Sequence, residues 1–387
     1  MAKKTWTLAD VEQDVYVDEI RLTEADVEGA ATGYTVTKRR LRGGLRDGVD
    51  VIEVDNGKFR FVVIPTRGMG VWRAACGELS LGWKSPVKGP VNPGFVHLNE
   101  ASGIGWLDGF DEMLVRCGLE SNGAPVFDEN GSLVWPLHGK VGNIPAHKVE
   151  VTIDGDTGQI AVTGTVDEAR LFGNKLRMFT TFTTRPGQLG MTLNDVITNI
   201  SAEPSELQLL YHTNFGVPLL DPGSKAVLPV KKMAPRDAVG ARGVAQWETY
   251  APGSPGEPEA VFFFDLVGDP DGQTQALLHN AAGDRGVSLR FNKNQLPCFT
   301  LWKNHQAEAD GYVTGLEPAI NFPNNRTFEK SQGRVATLSP GESRTFEVTL
   351  EVHPAAAAVA AAKAAVAKLQ QGTAPEVLDQ PDPQFAP

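Results

Sequence analysis

Hydrophobic residues alternate with polar residues over most of the chain, and this period of two is typical of β-strands. Val149, Val151 and Ile153 share one face of a predicted strand, and the apolar residues between 346 and 352 share a face of the last one. Turn-forming residues such as Asp154-Gly155-Asp156 separate these segments. Strands joined by short turns at this spacing predict an antiparallel meander.

No strand–helix–strand alternation occurs, so the pattern favours an all-β sandwich or barrel. We found no fixed-period repeat, which makes a propeller less favoured. The main domain is predicted to span residues 49–353, after an N-terminal extension, residues 1–48, that packs on it and includes a short helix from Leu8 to Val15. Residues 354–369 are rich in alanine and predict a helix. Residues 370–387 are polar and proline-rich and predict a flexible tail.

Residues 84–145 do not share this alternation. Proline and glycine recur there, and aromatic residues are interleaved with charged ones. A long irregular stretch inside a compact protein usually has a function or is disordered, and this stretch is too aromatic for disorder. We therefore predict an ordered excursion that lines a site, with a short helix around residues 110–116.

Composition excludes several classes of protein. The chain has 387 residues, 41% of them hydrophobic, and a formal net charge of −11, so no nucleic-acid footprint is expected. No run approaches the length of a membrane span, and the N-terminal residues lack the apolar core of a signal peptide. The three cysteines are far apart and are typical of buried thiols in a cytoplasmic protein. We therefore predict a cytoplasmic location and no membrane partner.

The segment Gly315-Leu316-Glu317-Pro318 is the first candidate for chemistry. Pro318 restricts Glu317 to an extended backbone at the end of a predicted strand. A rigid, partly buried glutamate with a raised pKa is suited to act as a general base. The alternative is an ordinary surface residue at a strand end, which is what most glutamates are.

Two of the seven histidines lie in distinctive local sequences. His138 precedes Gly139 at the end of the excursion, and His212 lies where a predicted strand meets Asn214 and Gly216. A single histidine is more often structural than functional. No histidine pair has the helical spacing of a metal site, so no metal is predicted, although His138, His212 and Glu317 could meet in space.

Three motifs together resemble the aldose 1-epimerase (galactose mutarotase-like) superfamily, and most closely its branch described as a domain of unknown function. They are His138-Gly139, the segment 198–216 that ends in His212-Thr213-Asn214-Phe215-Gly216, and Gly315-Leu316-Glu317-Pro318. The branch also shows the patterns at residues 65–69, 82–86 and 106–111. The resemblance covers roughly residues 40–353.

The resemblance implies a large antiparallel twisted β-sandwich, the galactose mutarotase-like supersandwich, with a sugar-binding groove across one sheet. It also implies that Glu317 is the general base on the anomeric hydroxyl and that His212 is the general acid at the ring oxygen. His138 would bind the sugar and orient the anomeric group. The implied partner is a small-molecule carbohydrate, and no cofactor is needed.

Other residues are candidates for substrate contact. Aromatic side chains offer platforms for a sugar ring, and charged ones offer hydrogen bonds. For each of them, core packing or a surface ion pair is an alternative of at least equal weight. Arg67 and Arg116 could instead bind a carboxylate or phosphate. The candidates are Trp83, Trp106, Trp302, Arg67, Arg116, Asp108 and Lys303.

The chain departs from the family pattern at two places. No arginine follows His138-Gly139, where Lys140-Val141-Gly142 stands instead, and Asp237 is the only counterpart found for a substrate-binding aspartate. These departures leave the sugar open.

The predicted function is therefore a sugar mutarotase acting on a monosaccharide or an acid-bearing sugar. One alternative is an epimerase, isomerase or lyase acting on an oxidised sugar, with or without a metal, and another is a non-catalytic sugar sensor. The alanine-rich helix could pack on the sandwich or mediate a homodimer.

Overall fold

The computed structural model describes residues 3–387 and consists mainly of two large antiparallel β-sheets packed face to face. Strands are numbered in chain order. For each sheet they are given below in their spatial order, from one edge to the other. The ten-stranded sheet 1 contains β17 (Lys225–Val227), β20 (Gln273–His279), β21 (Gly286–Asn292), β25 (Ser343–His353), β15 (Gly190–Asn199), β14 (Lys175–Thr184), β13 (Ile160–Ala169), β12 (Lys148–Asp154), β1 (Lys3–Asp10) and β2 (Val15–Tyr16).

The fourteen-stranded sheet 2 is antiparallel except where its first two strands pair. It contains β26 (Glu376–Val377), β18 (Val230–Pro235), β19 (Ala260–Leu266), β22 (Cys298–Asn304), β23 (Val313–Ala319), β16 (Ser205–Phe215), β9 (Leu114–Leu119), β7 (Gly70–Cys76), β6 (Phe59–Ile64), β5 (Asp50–Asp55), β4 (Thr35–Arg40) and β3 (Ile20–Thr23), with β24 (Ala336–Leu338) on β16 and β8 (Leu79–Leu81) on β7. A small separate hairpin is formed by β10 (Val126–Phe127) and β11 (Leu133–Trp135), and the α-helices are α1 (Ala238–Gly243), α2 (Arg326–Ser331) and α3 (Ala356–Gln370).

The predicted β-sandwich is confirmed, and its main core lies between the two sheets. Tyr211, Leu301 and Leu316 of sheet 2 point into this core and are fully buried. Their chain neighbours point to the opposite, outer face because successive side chains of a strand alternate. None of the helices within residues 3–387 is long and apolar enough to span a membrane.

The N-terminal residues are part of both sheets. β1 pairs with β12 in sheet 1, and β3 and β4 extend sheet 2 from β5. The helix predicted from Leu8 to Val15 is wrong: Leu8 lies in β1 and is fully buried in the main core. Pairing with β12 fixes the extended backbone there, which overrides the local helix signal.

The excursion, residues 84–145, covers the outer face of sheet 2. The helix predicted at residues 110–116 is wrong, since a 3₁₀ turn ends at Gly109 and β9 begins at Leu114. In β9, Leu114 faces the main core while Val115 and Cys117 belong to a second apolar cluster on the outer face. A strand buried on both faces shows no polar alternation, and this explains the misreading.

The predicted C-terminal helix is confirmed as α3, which packs on sheet 1 through Val359, Ala362 and Val366. Gln275 of β20 donates a hydrogen bond to the Ala362 carbonyl over 3.0 Å. The chain beyond α3, predicted to be flexible, packs back on sheet 2. There β26 pairs with β18, and the Phe385 ring lies 4.9 Å from the Phe322 ring.

A buried ion pair joins the two sheets at the centre of the sandwich. Arg116 of β9 donates two hydrogen bonds of 2.9 Å to the Asp195 carboxylate of β15. Tyr211 and Thr180 also donate to Asp195, over 2.9 Å and 2.7 Å. Arg116 therefore does not reach a substrate groove: it faces inwards with Leu114, and its charge is fully neutralised inside the core.

Replacing Asp195 with Asn should lower the free energy of unfolding by about 3–5 kcal/mol, because the Arg116 charge would stay buried without a carboxylate. Asp167→Asn is the matched control, since Asp167 pairs with Arg177 over 2.7 Å at a partly exposed site of the same sheet. The control should lose at most about 1 kcal/mol. Equal losses in denaturant titrations of the two variants would contradict the role given to the inter-sheet pair.

Candidate active site

His212 and Glu317 lie side by side on the outer face of sheet 2. Thr213 pairs with Leu316 across β16 and β23, so the same register sets His212 opposite Glu317. Thr300 of β22 pairs with Glu317 on the other side. The three side chains form one row across adjacent strands, and all three are buried beneath the excursion.

The two ionisable groups of this row are in direct contact. The His212 Nε2 atom lies 3.3 Å from Glu317 Oε1, and the two residues are only 4% and 2% exposed. The contact is within ion-pair distance but poorly aligned for a hydrogen bond, so Oε1 has no hydrogen-bond partner among the described residues. A buried polar atom of this kind gains most from a ligand hydroxyl.

Asn214 fixes the protonation of the His212 ring. Its amide nitrogen donates to the carbonyl groups of Glu112, over 3.0 Å, and His212, over 3.3 Å. The amide oxygen must therefore face the His212 Nδ1 atom, 2.7 Å away, and accept its proton. In the neutral ring, the Nε2 atom then carries a lone pair that points towards the Glu317 carboxyl.

A labile proton of this pair can be bound either to the Glu317 carboxyl or to His212 Nε2. Burial raises the pKa of Glu317 well above its ordinary value, and the nearby Glu259 carboxylate raises it further. Burial also lowers the pKa of His212 well below its ordinary value, with His138 adding to the effect. Both pKa shifts favour the form in which Glu317 and His212 are uncharged. Because the two groups interact, the pKa values of the two proton losses describe the pair and not either residue alone.

Gly315 makes space for the Glu317 carboxylate. A Cβ atom at Gly315 would collide with Glu317 Oε1, which folds back over this position of β23. The motif Gly315-Leu316-Glu317-Pro318 thus has a steric basis, in that the glycine permits the side-chain position of the glutamate.

His138 reaches the same site from the excursion. Its backbone is left-handed, with a φ of 58°, and Gly139 follows with a φ of 72°. A non-glycine residue in this conformation is strained and persists only where its surroundings fix it. The Nδ1 atom lies 2.9 Å from the Asn122 carbonyl, which can only accept, so Nδ1 holds the proton and Nε2 is an acceptor. Burial lowers the pKa of His138 and keeps the ring neutral.

A pocket of about 250 Å³ opens above these groups. The Trp106 and Phe110 rings pack 4.7 Å apart, and the Trp302 and His212 rings lie 5.3 Å apart. The pocket is enclosed by the excursion on one side and by sheet 2 on the other. Its lining residues are Trp106, Leu107, Phe110, Ala124, Leu137 and His138 from the excursion, and His212, Arg236, Glu259, Val261, Thr300, Trp302, Glu317 and Pro323 from elsewhere.

Two lining residues, Glu259 and Arg236, were missed by the sequence analysis. The Trp302 indole donates to Glu259 over 2.7 Å, and Arg236 contacts Glu259 over 2.9 Å. Asp237, the suggested substrate-binding aspartate, instead caps α1 and pairs with Arg236 over 2.8 Å. Glu259 directly precedes β19, the strand that pairs with the strand of Trp302. This position is the only sequence feature that could have indicated Glu259, and its use requires knowledge of the strand register.

Trp83 and the four charged candidates for substrate contact do not line the pocket. Arg116 lies in the core between the sheets, paired with Asp195. Asp108 is exposed on the 3₁₀ turn. Lys303 follows Trp302 in β22 and therefore faces the main core, where its Nζ atom donates to the Thr249 carbonyl over 2.9 Å and lies 4.2 Å from the Tyr250 ring centroid.

Arg67, the fourth of these charged candidates, holds the excursion in place. Its buried guanidinium pairs with Glu112 and donates to the carbonyl groups of Val91 and Gly109, each over 3.0 Å. It also donates to the Asn143 side chain over 2.8 Å. All four acceptors belong to the excursion, so Arg67 acts on the pocket through the position of its cover.

Comparison with known proteins identifies the family to which the chain belongs. Residues 46–352 match the model of a family described as a domain of unknown function, DUF4432. The chain belongs to this family. A crystal structure from Klebsiella pneumoniae subsp. pneumoniae MGH 78578, of a protein described as a candidate aldose 1-epimerase, is 34% identical, with a TM-score of 0.93 over 97% of both chains.

More distant structures share the fold of this DUF4432 protein. A galactose mutarotase-like protein from Clostridium acetobutylicum is 18% identical, with a TM-score of 0.55 over 82% of this chain and 98% of its own. The galactose 1-epimerase from Lactobacillus acidophilus NCFM is 12% identical, with a TM-score of 0.52 over the same shares. No curated protein matched the sequence. These likenesses show that the chain has the galactose mutarotase-like fold.

Two histidines and one glutamate meet in the candidate active site. Within residues 3–387, no group of three or more His, Cys, Asp or Glu side chains is placed to hold a metal ion. The Nδ1 atoms of His138 and His212 are already bonded to protein oxygens. What the arrangement offers is a proton acceptor and a proton donor at neighbouring positions.

The raised pKa of Glu317 predicts a pH-dependent stability difference. The folded state binds this proton more tightly than the unfolded chain, in which the pKa has its ordinary value of about 4.5. Stability contributed by the protonated form is complete below that value and is lost as the pH rises towards the folded-state pKa. Glu317→Gln mimics the protonated form, so it should gain stability relative to wild type as the pH rises.

Denaturant unfolding at pH 5 and pH 8 measures this difference. Glu129→Gln, at an exposed loop position, is the matched control for loss of a carboxylate. The relative stability of Glu317→Gln should be greater at pH 8 than at pH 5. A difference that is the same at both pH values would contradict the raised pKa of Glu317.

Proposed function

We propose that this protein is a sugar mutarotase of the aldose 1-epimerase type, which interconverts the anomers of a monosaccharide. The observation that supports this most is the buried contact of His212 Nε2 with Glu317 Oε1 over 3.3 Å. Anomer interconversion removes a proton from one oxygen of C1 and adds a proton to the other. A proton donor and a proton acceptor that lie side by side are suited to act on two oxygen atoms bonded to the same carbon.

Ring opening uses the charged form of the pair. The Glu317 carboxylate takes the proton of the C1 hydroxyl while the C1 carbonyl forms. The bond between C1 and the ring oxygen breaks, its electron pair stays on that oxygen, and His212 Nε2 protonates it. The pair is left uncharged, which is the form that its burial favours.

Ring closure reverses these steps. The open-chain aldehyde rotates about the C1–C2 bond. The hydroxyl group formed from the former ring oxygen then attacks the other face of the C1 carbonyl. His212 now takes the proton of that hydroxyl, and Glu317 returns a proton to the carbonyl oxygen. The pair ends as it began, and no group other than these proton carriers takes part in the cycle.

The surrounding groups suit the binding of the sugar. His138 Nε2 is an acceptor and can receive a hydrogen bond from a hydroxyl, which orients the anomeric centre. Trp302 and Trp106 offer ring faces, and the Glu259–Arg236 pair offers hydrogen bonds at the mouth of the pocket. The Trp106 indole N–H has no partner among the described residues, so it is a further donor for a hydroxyl.

The pocket suits a single sugar ring. Its volume of about 250 Å³ is below the range of about 300–1,000 Å³ of typical ligand pockets. Arg236 is the only arginine or lysine among its lining residues, and it is already paired with Glu259 and Asp237. This favours a neutral monosaccharide over an acid-bearing one. The three free cysteines are buried, which suits the proposed cytoplasmic location.

Polarimetry of freshly dissolved single anomers tests this function. Over a panel of aldoses, wild type should accelerate the relaxation of at least one sugar, while Glu317→Gln and His212→Asn should each reduce the rate at least about 100-fold, the scale of general acid–base catalysis. His97→Asn is the matched control, because His97 is exposed and outside the pocket. Unchanged rates in both active-site variants, or no acceleration by wild type with any sugar, would refute the proposal.

A further inference from the structure

A second pocket, of about 530 Å³, lies on the outer face of sheet 2 beside β5, β6, β7 and β8. It shares no lining residue with the candidate active site. We propose that this second pocket binds an anionic sugar unit, meaning a sugar ring that bears a carboxylate, sulfate or phosphate. The pocket does not depend on the proposed mutarotase activity.

A β-bulge brings an aromatic and a cationic side chain together in this pocket. Val63 pairs with Val71, but Val62 pairs with Arg73, so Trp72 is an extra residue in β7. Val71 and Ala74 face the core, while both Trp72 and Arg73 remain outside it. Bulges commonly re-aim a side chain at a functional position. In β7 the bulge places Trp72 and Arg73 next to each other on the outer face.

Two tryptophans are held rigidly as walls of the pocket. The Trp72 indole donates to the Asp111 carboxyl over 2.8 Å, and the Trp83 indole donates to the Glu112 carbonyl over 3.1 Å. Each N–H group is thus satisfied by the protein. Arg73 lies over the Trp72 ring and Phe110 packs against the Trp83 ring, so a ligand can contact only the remaining surface of each indole. Ring faces fixed in advance bind a ligand at little cost in side-chain entropy.

Two arginines of the pocket lack an acidic partner. Arg73 lies over the Trp72 ring at 4.3 Å, and Arg60 lies in the next row of the sheet, opposite Ala75. Within residues 3–387, neither guanidinium forms an ion pair or a side-chain hydrogen bond. By contrast, Arg67, Arg116 and Arg236 are all paired with carboxylates. Unpaired guanidinium groups are suited to bidentate binding of a carboxylate, sulfate or phosphate.

The charge of the pocket also favours an anion. Its lining contains the unpaired cations Arg60 and Arg73, Lys84, which is paired with Glu308 over 3.1 Å, and the acidic residues Glu53 and Asp111, in a chain whose net charge is −11. Burial, together with the neighbouring Glu112, raises the pKa of Asp111 to about 7. Near neutral pH, Asp111 is therefore partly protonated and repels an anion less than an ionised carboxylate would.

The tryptophans select a sugar ring over a bare ion. An inorganic anion could use the two arginines but would gain nothing from Trp72 and Trp83. The apolar face of a sugar ring can stack on an indole, while Ser80 and Glu53 can bond its hydroxyl groups. The pocket is separated from His212 by packed aromatic rings, with Trp83 4.9 Å from Phe110 and Phe110 5.1 Å from His212.

Calorimetric titration of the full chain tests the site. The probes are glucuronate, glucose 6-sulfate, glucose 6-phosphate, glucose and inorganic phosphate, and the variants are the double substitution R60Q/R73Q, W72A and the control R285Q. Arg285 is exposed on a loop of sheet 1, far along the chain from the pocket. At least one sugar acid should bind wild type and R285Q, and the double variant should weaken that binding at least tenfold.

W72A should weaken binding of the sugar acid without changing that of inorganic phosphate. This comparison distinguishes the contribution of the sugar ring to binding from that of the anionic group. The comparison among the three sugar acids identifies the anion. The proposal is overturned if no sugar acid binds wild type, if binding survives R60Q/R73Q, or if inorganic phosphate binds as tightly as every sugar acid. R60Q/R73Q should keep the wild-type rate of anomer interconversion, so the failure of this site and the failure of the proposed function are distinguishable.

Discussion

The alternation of side chains along strands that are buried on both faces is the constraint on which this molecule depends. In β16, β22 and β23, one set of residues fills the core between the sheets and the next set faces the excursion. Tyr211 and Leu316 belong to the first set, and His212 and Glu317 belong to the second. A single shift of register would exchange the two sets, so the stability of the core also fixes the position of the chemistry.

The cover of the site is as necessary as the strands beneath it. Without the excursion, Glu317 and His212 would lie on an open sheet, where water would restore their ordinary pKa values. Arg67 joins the cover to β6 and β7 through Glu112 and three further acceptors within the excursion. An arginine outside the pocket thereby contributes to the exclusion of water from Glu317 and His212.

Sequence patterns predicted the fold and five of the residues that line the pocket, but not the side chains set by register. Glu317, His212 and His138 belong to motifs with restricted backbones, such as Glu317 before Pro318 and His138 before Gly139. Lys303 was misassigned because the phase of a strand buried on both faces cannot be read from polarity. Arg67 and Arg116 were misassigned because charge suggested exposure, whereas their buried partners, Glu112 and Asp195, lie far away in the sequence.

Exchange spectroscopy by NMR in D₂O tests the central claim, that the Glu317–His212 pair moves protons only between oxygens of the sugar. With an equilibrated aldose, the protein should produce exchange cross-peaks between the two anomers above those in buffer, with no deuterium incorporated at carbon. Deuterium at a sugar carbon would instead indicate enolisation chemistry. Either that result, or the absence of added exchange for every sugar that binds, would contradict the account.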